Sequence, residues 1–213
     1  MAGDLPRFLQ TRTYYVFQTS RSGIPFFCDP ACCEFYLLHL SICLRAFRLQ
    51  LHGFVFLPDQ QHLLVTPFSR DGIGRLLGAV NRTYEEYFLN RFARRSALDS
   101  HRYRYRLLDS DALVLDSQKF IELLPVEECL VNNIGEYPWS SYPVNAFGGD
   151  GGYLVRHRAH RRFLGDGPDR FRKYREFIAA GFNADQRRFM IQLLQLGYPI
   201  KAIAASAAPL QTA

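Results

Sequence analysis

Two strand-like runs, QLHGFVFLP at 50–58 and HLLVTP at 62–67, are separated only by Asp59, Gln60 and Gln61. So short a link between β-branched and aromatic runs dictates an antiparallel hairpin. The hairpin sits between two helical patterns, and this arrangement limits the possible folds more than any other feature. Upstream, Asp29-Pro30 opens a helix to about Arg48, with Phe35, Leu38, Ile42 and Ala46 recurring every three or four residues. Downstream of Asp71-Gly72, residues 73–93 place Ile73, Leu76, Leu77, Val80, Tyr84, Tyr87 and Phe88 on one face of a long amphipathic helix.

A strand at each end completes the set: RTYYVFQT at 12–19, and HRYRYRLL at 101–108, which alternates strictly. The order β-α-β-β-α-β is that of the ferredoxin-like split βαβ fold, an α+β antiparallel sheet with two helices on one face. The opposite face is left for a ligand or another helix. The helix that Ser110-Asp111 opens is the candidate to lie near it, with an expected interruption at Pro125 after Leu124. Beyond Tyr142 the pattern weakens. Gly148 to Gly152 reads as a flexible connector, RHRAHRR at 156–162 as a basic arm, and 168–180 and 184–196 as helices before a frayed tail, AIAASAAPLQTA. The expected division is a domain over 1–147 and an extension over 148–213.

The chain has 26 Lys plus Arg against 20 Asp plus Glu, a net charge of +6, and only Lys119, Lys173 and Lys201 are lysines. Guanidinium groups suit phosphate and stack on rings, so an Arg-, Tyr- and Phe-rich chain points toward nucleic acid; a GC-rich genome favouring Arg codons gives the same count. With 48% hydrophobic and 22% charged residues, intrinsic disorder is excluded. Cysteines 28, 32, 33, 43 and 129 are odd in number and lack paired CxxC sets, so buried free thiols in a reducing compartment are expected. MAGDLPRFLQTR has no hydrophobic signal core, and no apolar run reaches the roughly 18 residues of a membrane span, which points to a cytoplasmic protein.

Alternation puts Arg102, Arg104 and Arg106 on one strand face and the tyrosines between them on the other. Phosphate contact is the natural use of that face, and a solvated surface the plain one. Arg75 and Arg82 lie off much of the long helix's apolar stripe and could track a DNA backbone. Arg156, Arg158, Arg161 and Arg162 form a block without an acid, either an arm gripping a hairpin stem or a solvated linker.

Three boxes then occur in order. They are Leu57-Pro58-Asp59-Gln60-Gln61-His62-Leu63-Leu64, Phe120-Ile121-Glu122-Leu123-Leu124-Pro125-Val126, and Tyr137-Pro138-Trp139-Ser140-Ser141-Tyr142. The stretch from about 12 to 180 resembles the REP-associated tyrosine transposases of the single-tyrosine HUH superfamily. Their corresponding boxes read Met-Pro-Asn-His-x-His-Leu-Leu, Tyr-Ile-Glu-Leu-Asn-Pro-Val and Tyr-Pro-Trp-Ser-Ser-Tyr. The resemblance implies a protein, cytoplasmic and nucleoid-associated, that binds single-stranded or hairpin DNA and nicks it. A divalent Mg or Mn ion held by two strand histidines would polarise the phosphate while a tyrosine attacks. A homodimer is compatible with it.

Here Gln60 replaces the first metal histidine and His62 keeps the second. Period two puts both on one face, with Asp59 and Gln61 on the other. Phe120 occupies the nucleophile position and has no oxygen. Leu124 replaces a polar residue one turn on, while Glu122 keeps the box's acid. The expectation is therefore a DNA-binding protein of transposase type with lost or reduced cleavage and weak or absent metal binding. A single strand histidine without its partner is more often a hydrogen-bonded structural residue than a metal ligand, and His62 is read that way first. The competing expectations are an active nickase using Tyr103 or Tyr105, and a ferredoxin-like RNA-binding or interaction module.

Overall fold

Tyr14, Tyr15, Val16 and Phe17 are all buried, which an alternating strand permits only when both its faces are covered. They belong to β1 (Thr13–Thr19), an inner strand of the four-stranded antiparallel sheet. The structure, a computed structural model, describes residues 7–20, 24–96, 98, 103–149 and 151–194. The remaining strands are β2 (Leu49–Leu57), β3 (Gln60–Pro67) and β4 (Arg104–Leu108), in the order β2-β3-β1-β4. This is the ferredoxin-like arrangement expected of the sequence. The register pairs Phe17 with His62 and with Arg104, and Tyr15 with Leu64 and with Arg106.

Period two sorts the strand residues between two cores. Tyr14, Val16, Phe54, Phe56, Leu63 and Val65 meet helices α1 (Pro30–Ala46) and α2 (Gly72–Phe92). Asp29 caps α1 by accepting the Cys32 amide at 3.0 Å, and Pro30 supplies a preset first turn. The buried face of α1 is Cys32, Cys33, Tyr36, Leu40 and Leu44, not the expected stripe, since Leu38 is 57% and Ile42 47% exposed. The helix is apolar on more than one side, so packing against the sheet rather than periodicity selects the face. On α2 the expected stripe is the buried one, apart from Tyr87, which is only partly covered.

The other sheet face carries Tyr15, Phe17, Val55, Leu57 and Leu64, and α3 (Asp111–Glu127) packs on it. Ser110 caps α3 through the Leu113 amide at 3.2 Å. Pro125 does not stop the helix at Leu124. It sits in the last turn, where one missing amide is tolerated, and the helix continues to Glu127. Close seating on β2 depends on Gly53, where a Cβ would come within 3.3 Å of Gln118 Cδ and Ser141 Oγ.

β2 is an edge strand, and two irregular segments cover it. The Phe56 amide donates to Trp139 O at 2.8 Å and the Ser141 amide to Phe54 O at 2.9 Å; farther along, the Val155 amide donates to Leu51 O at 2.8 Å. The Tyr137–Tyr142 box thus closes a sheet edge that would otherwise be open to pairing. Four more helices follow: α4 (Tyr142–Phe147), α5 (Arg158–Leu164), α6 (Arg170–Ala179) and α7 (Ala184–Leu194).

The basic stretch 156–162 is not a free arm. Most of it forms α5, which buries Ala159 and His160 against the rest of the chain, with its buried N-cap His157 beside them. The connector before it is pinned at Leu154 and Val155 beside Leu51. All five cysteines are free, but Cys28 and Cys129 are exposed because they lie in turns outside the helices. No helix of the described residues is long and apolar enough to cross a membrane. The tail after 194 and Arg102 fall outside the described residues.

Candidate functional site

His62 and Gln60 point to the same side of β3, as alternation requires, and face α3 rather than solvent. His62 is fully buried. Its Nε2 lies 3.3 Å from Gln60 Oε1, which only accepts, so that nitrogen donates; Nδ1 then accepts the Tyr15 hydroxyl at 2.6 Å. The Gln60 amide nitrogen donates onward to Glu128 Oε1 at 3.5 Å. Tyr15, His62, Gln60 and Glu128 thereby form a chain with one donor direction throughout.

Burial pushes His62 down to about 3, so its ring is neutral. Glu128 is lifted to about 7 by desolvation, with repulsion from Asp59 and Glu127 adding to it. Asp59 stays in the turn before β3, and the ladder irregularity lies at Leu51/Gly53 instead. Among the described residues no group of three or more His, Cys, Asp or Glu side chains could hold a metal ion. The donor set does not fit a divalent cation: both His62 nitrogens face protein groups, and Gln60 offers a neutral oxygen turned toward an N–H.

Phe120 is 5% exposed in the same apolar cluster as Tyr15, Phe17, Leu115 and Leu124, which Met190 and Leu194 of α7 join. α7 is fastened to the end of α3 by Arg187 to Glu127 at 3.2 Å. Lys119 crosses the Phe177 ring at 4.0 Å to donate to Gly181 O at 3.2 Å. The positions at which the resemblance expects a nucleophile and a polar neighbour are thus core.

Glu122 points away from that cluster and is fully buried. It accepts hydrogen bonds from Gln118 at 3.2 Å, Asn145 at 3.0 Å, Tyr174 at 2.6 Å, and the Ser141 hydroxyl. Burial raises its pKa, and these four donors pull it back. It ties α3 to α4, α6 and the segment against β2, a stabilising role rather than a reactive one. Its partners Asn145 and Tyr174 are functional-looking polar groups that sequence reasoning missed. Nothing local marks them, because they lie 23 and 52 residues away.

The basic candidates divide between two sides of the sheet. Arg104 and Arg106 are exposed on β4 and share the face of Phe17 and Tyr15, hence of His62. Arg75 and Arg82 are exposed on α2, across the sheet. Arg75 sits 3.7 Å from Asp71 and 4.8 Å above the Phe47 ring. The α5 arginines are less free than a block without acids suggests. Arg162 and Arg158 reach Asp111 at 2.8 and 3.7 Å, Arg156 pairs with Asp166, and Arg161 is exposed without an ion pair to any described residue. Tyr105 packs on Phe8 with ring centroids 4.8 Å apart, and Tyr103 joins the same core, so both lie across the sheet from His62 and cannot stand in for position 120.

No protein-family model matches this chain, and no curated protein does. Among solved structures, a REP-associated tyrosine transposase bound to a REP hairpin matches it with a TM-score of 0.54 and 13% identity. The match covers 74% of this chain and 99% of that one. The likeness is one of fold.

Proposed function

We propose that this chain is a DNA-binding protein on a transposase-like scaffold that engages single-stranded or hairpin DNA without forming a covalent phosphotyrosine at position 120. The carrying observation is the contrast within one sheet face. Phe120, Leu124 and the His62–Gln60 pair are sealed into core and hydrogen-bond chain, while Arg104 and Arg106 on that face remain solvent-exposed. The fold of a hairpin-bound transposase supports DNA as the partner. Arg158, Arg161 and Arg162 extend the cationic surface on the α3 side, two of them sharing a single carboxylate. The hydrogen-bonded His62 and Gln60 support a reading of weak or absent divalent-metal binding.

Labelled hairpin DNA incubated with the full chain and Mg²⁺ or Mn²⁺ tests both halves of the reading. The expected result is a complex that weakens steeply with salt and yields no protein–DNA adduct after denaturation. A covalent adduct refutes the inactive reading. Equal or better binding to RNA moves the chain to an RNA-binding class, and no binding to either at low salt removes nucleic acid altogether.

A further inference from the structure

A cavity of about 490 Å³ opens between α4, the glycines Gly148, Gly149, Gly151 and Gly152, and helices α5 and α6, away from Phe120 and His62. That volume lies in the range of small-ligand sites, roughly 300–1,000 Å³. One wall holds His160, 2% exposed, whose Nε2 has no hydrogen-bond partner in the described structure. That nitrogen has almost no accessible surface, so the ring shapes the wall from behind and does not itself meet a ligand. The ring is neutral: burial, then His157, His52 and Arg156, push it down to about 3.

Two guanidinium groups line the same space. Arg156 is held below its ordinary pKa by burial and then by Arg170 and Arg161, a sign of crowded positive charge. Its partner Asp166 is 76% exposed and easily displaced, and Arg170 makes no ion pair with a described residue. Phe171 supplies a flat aromatic wall with the Arg170 guanidinium 4.1 Å from its ring centroid. The backbone approaches that wall only because residue 148 is glycine. Its φ is 80°, and a Cβ would lie 3.0 Å from Phe171 Cζ.

We propose that this cavity binds a nucleoside 5′-monophosphate, with its phosphate on Arg156 and Arg170 and its base against Phe171. Positive charge selects the phosphate, and a cavity this size with an aromatic wall exceeds what a bare anion fills. The ligand is either a free nucleotide or an unpaired nucleotide of a bound strand. The free-nucleotide source is independent of the DNA-binding reading, and the strand source rests on it.

Calorimetric titration of the full chain with deoxyadenosine monophosphate, deoxyadenosine and inorganic phosphate reads the site. The monophosphate is expected to bind at least about tenfold more tightly than either fragment. Arg170→Ala is expected to weaken it by about tenfold at an unchanged melting temperature, with Arg170→Lys recovering part. No saturable binding of the monophosphate, or full binding by Arg170→Ala, overturns the proposal. Hairpins with and without a single-stranded extension separate the sources: displacement of the extension by the monophosphate assigns the strand, and binding without displacement assigns the free nucleotide. Loss of hairpin binding with monophosphate binding intact fails only the DNA reading; the reverse fails only this site.

Discussion

Phe120 holds its place by packing, and that makes the simplest attempt at reactivation costly. In Phe120→Tyr a hydroxyl enters an apolar cluster at a position only 5% exposed. Without a partner it destabilises by about 1–3 kcal/mol, readable in urea unfolding. It also gains no adduct with hairpin DNA, because the His62–Gln60 pair still offers no divalent site. Combining it with Gln60→His and Leu124→Asn tests whether the scaffold can be restored; nicking by the triple variant alone is the expected pattern, and nicking by Phe120→Tyr alone contradicts it. Glu122 behaves differently. Glu122→Ala removes an acceptor shared by four donors, of which Gln118 and Ser141 keep a second partner, and should cost about 1–3 kcal/mol for each of the other two, whereas Glu122→Gln keeps an acceptor and should cost less. The shared face of Gln60 and His62 was legible from strand period two. The link from Gln60 to Glu128 was not, because it needs α3 to run past Pro125, where local propensity says a helix ends.

At the scale of elements, legibility followed how one-sided each pattern is. β4 alternates Arg with Tyr, so its exposed face could be read directly, and Arg104 and Arg106 do stand in solvent. α1 is apolar on several sides, so its buried face could be decided only by the sheet. α5 was hidden by its arginines: charge density suggested a linker, while His157, Ala159 and His160 between them carry the buried stripe. The β4 arginines then make a prediction that α2 does not share. Arg104→Ala with Arg106→Ala should lower the slope of log affinity against log salt by roughly 0.7–0.9 per lost phosphate contact, with the fold intact. Arg82→Ala, on the opposite side of the sheet, should leave that slope unchanged if one DNA segment lies along β4. Equal losses at both places would mean that the nucleic acid wraps the edge of the sheet.

Across the whole molecule, buried imidazoles join elements far apart in sequence. The His157 Nδ1 accepts the Ala159 amide, so its Nε2 donates to Thr13 at 2.9 Å; Thr13 meets Thr66 at 2.9 Å, and Thr66 meets His52 Nε2 at 2.8 Å. His52 Nδ1 closes the path on Val155 O at 2.7 Å, so α5, β1, β3, β2 and the covering segment are bound in one chain. Burial depresses all of these rings, His52 to about 4, His62 and His160 to about 3, with His157 also lowered. In the unfolded chain the same imidazoles protonate near 6.5. As pH falls through that value the unfolded state takes up protons first, so this stabilisation is whole above about pH 6.5 and is lost toward pH 4. Buried carboxyls such as Glu122 and Glu127 run the opposite way, because their raised pKa favours the folded state at lower pH. The total slope is therefore not diagnostic, but the difference between wild type and His52→Gln is. The amide fills similar space and cannot titrate, so the variant should be less stable at pH 7.5. Between pH 6 and 5 its stability should fall less steeply, by about 1.4 kcal/mol per pH unit. Parallel curves for the two proteins would show that His52 is already protonated in the fold and that the directed chain through Thr66 does not hold.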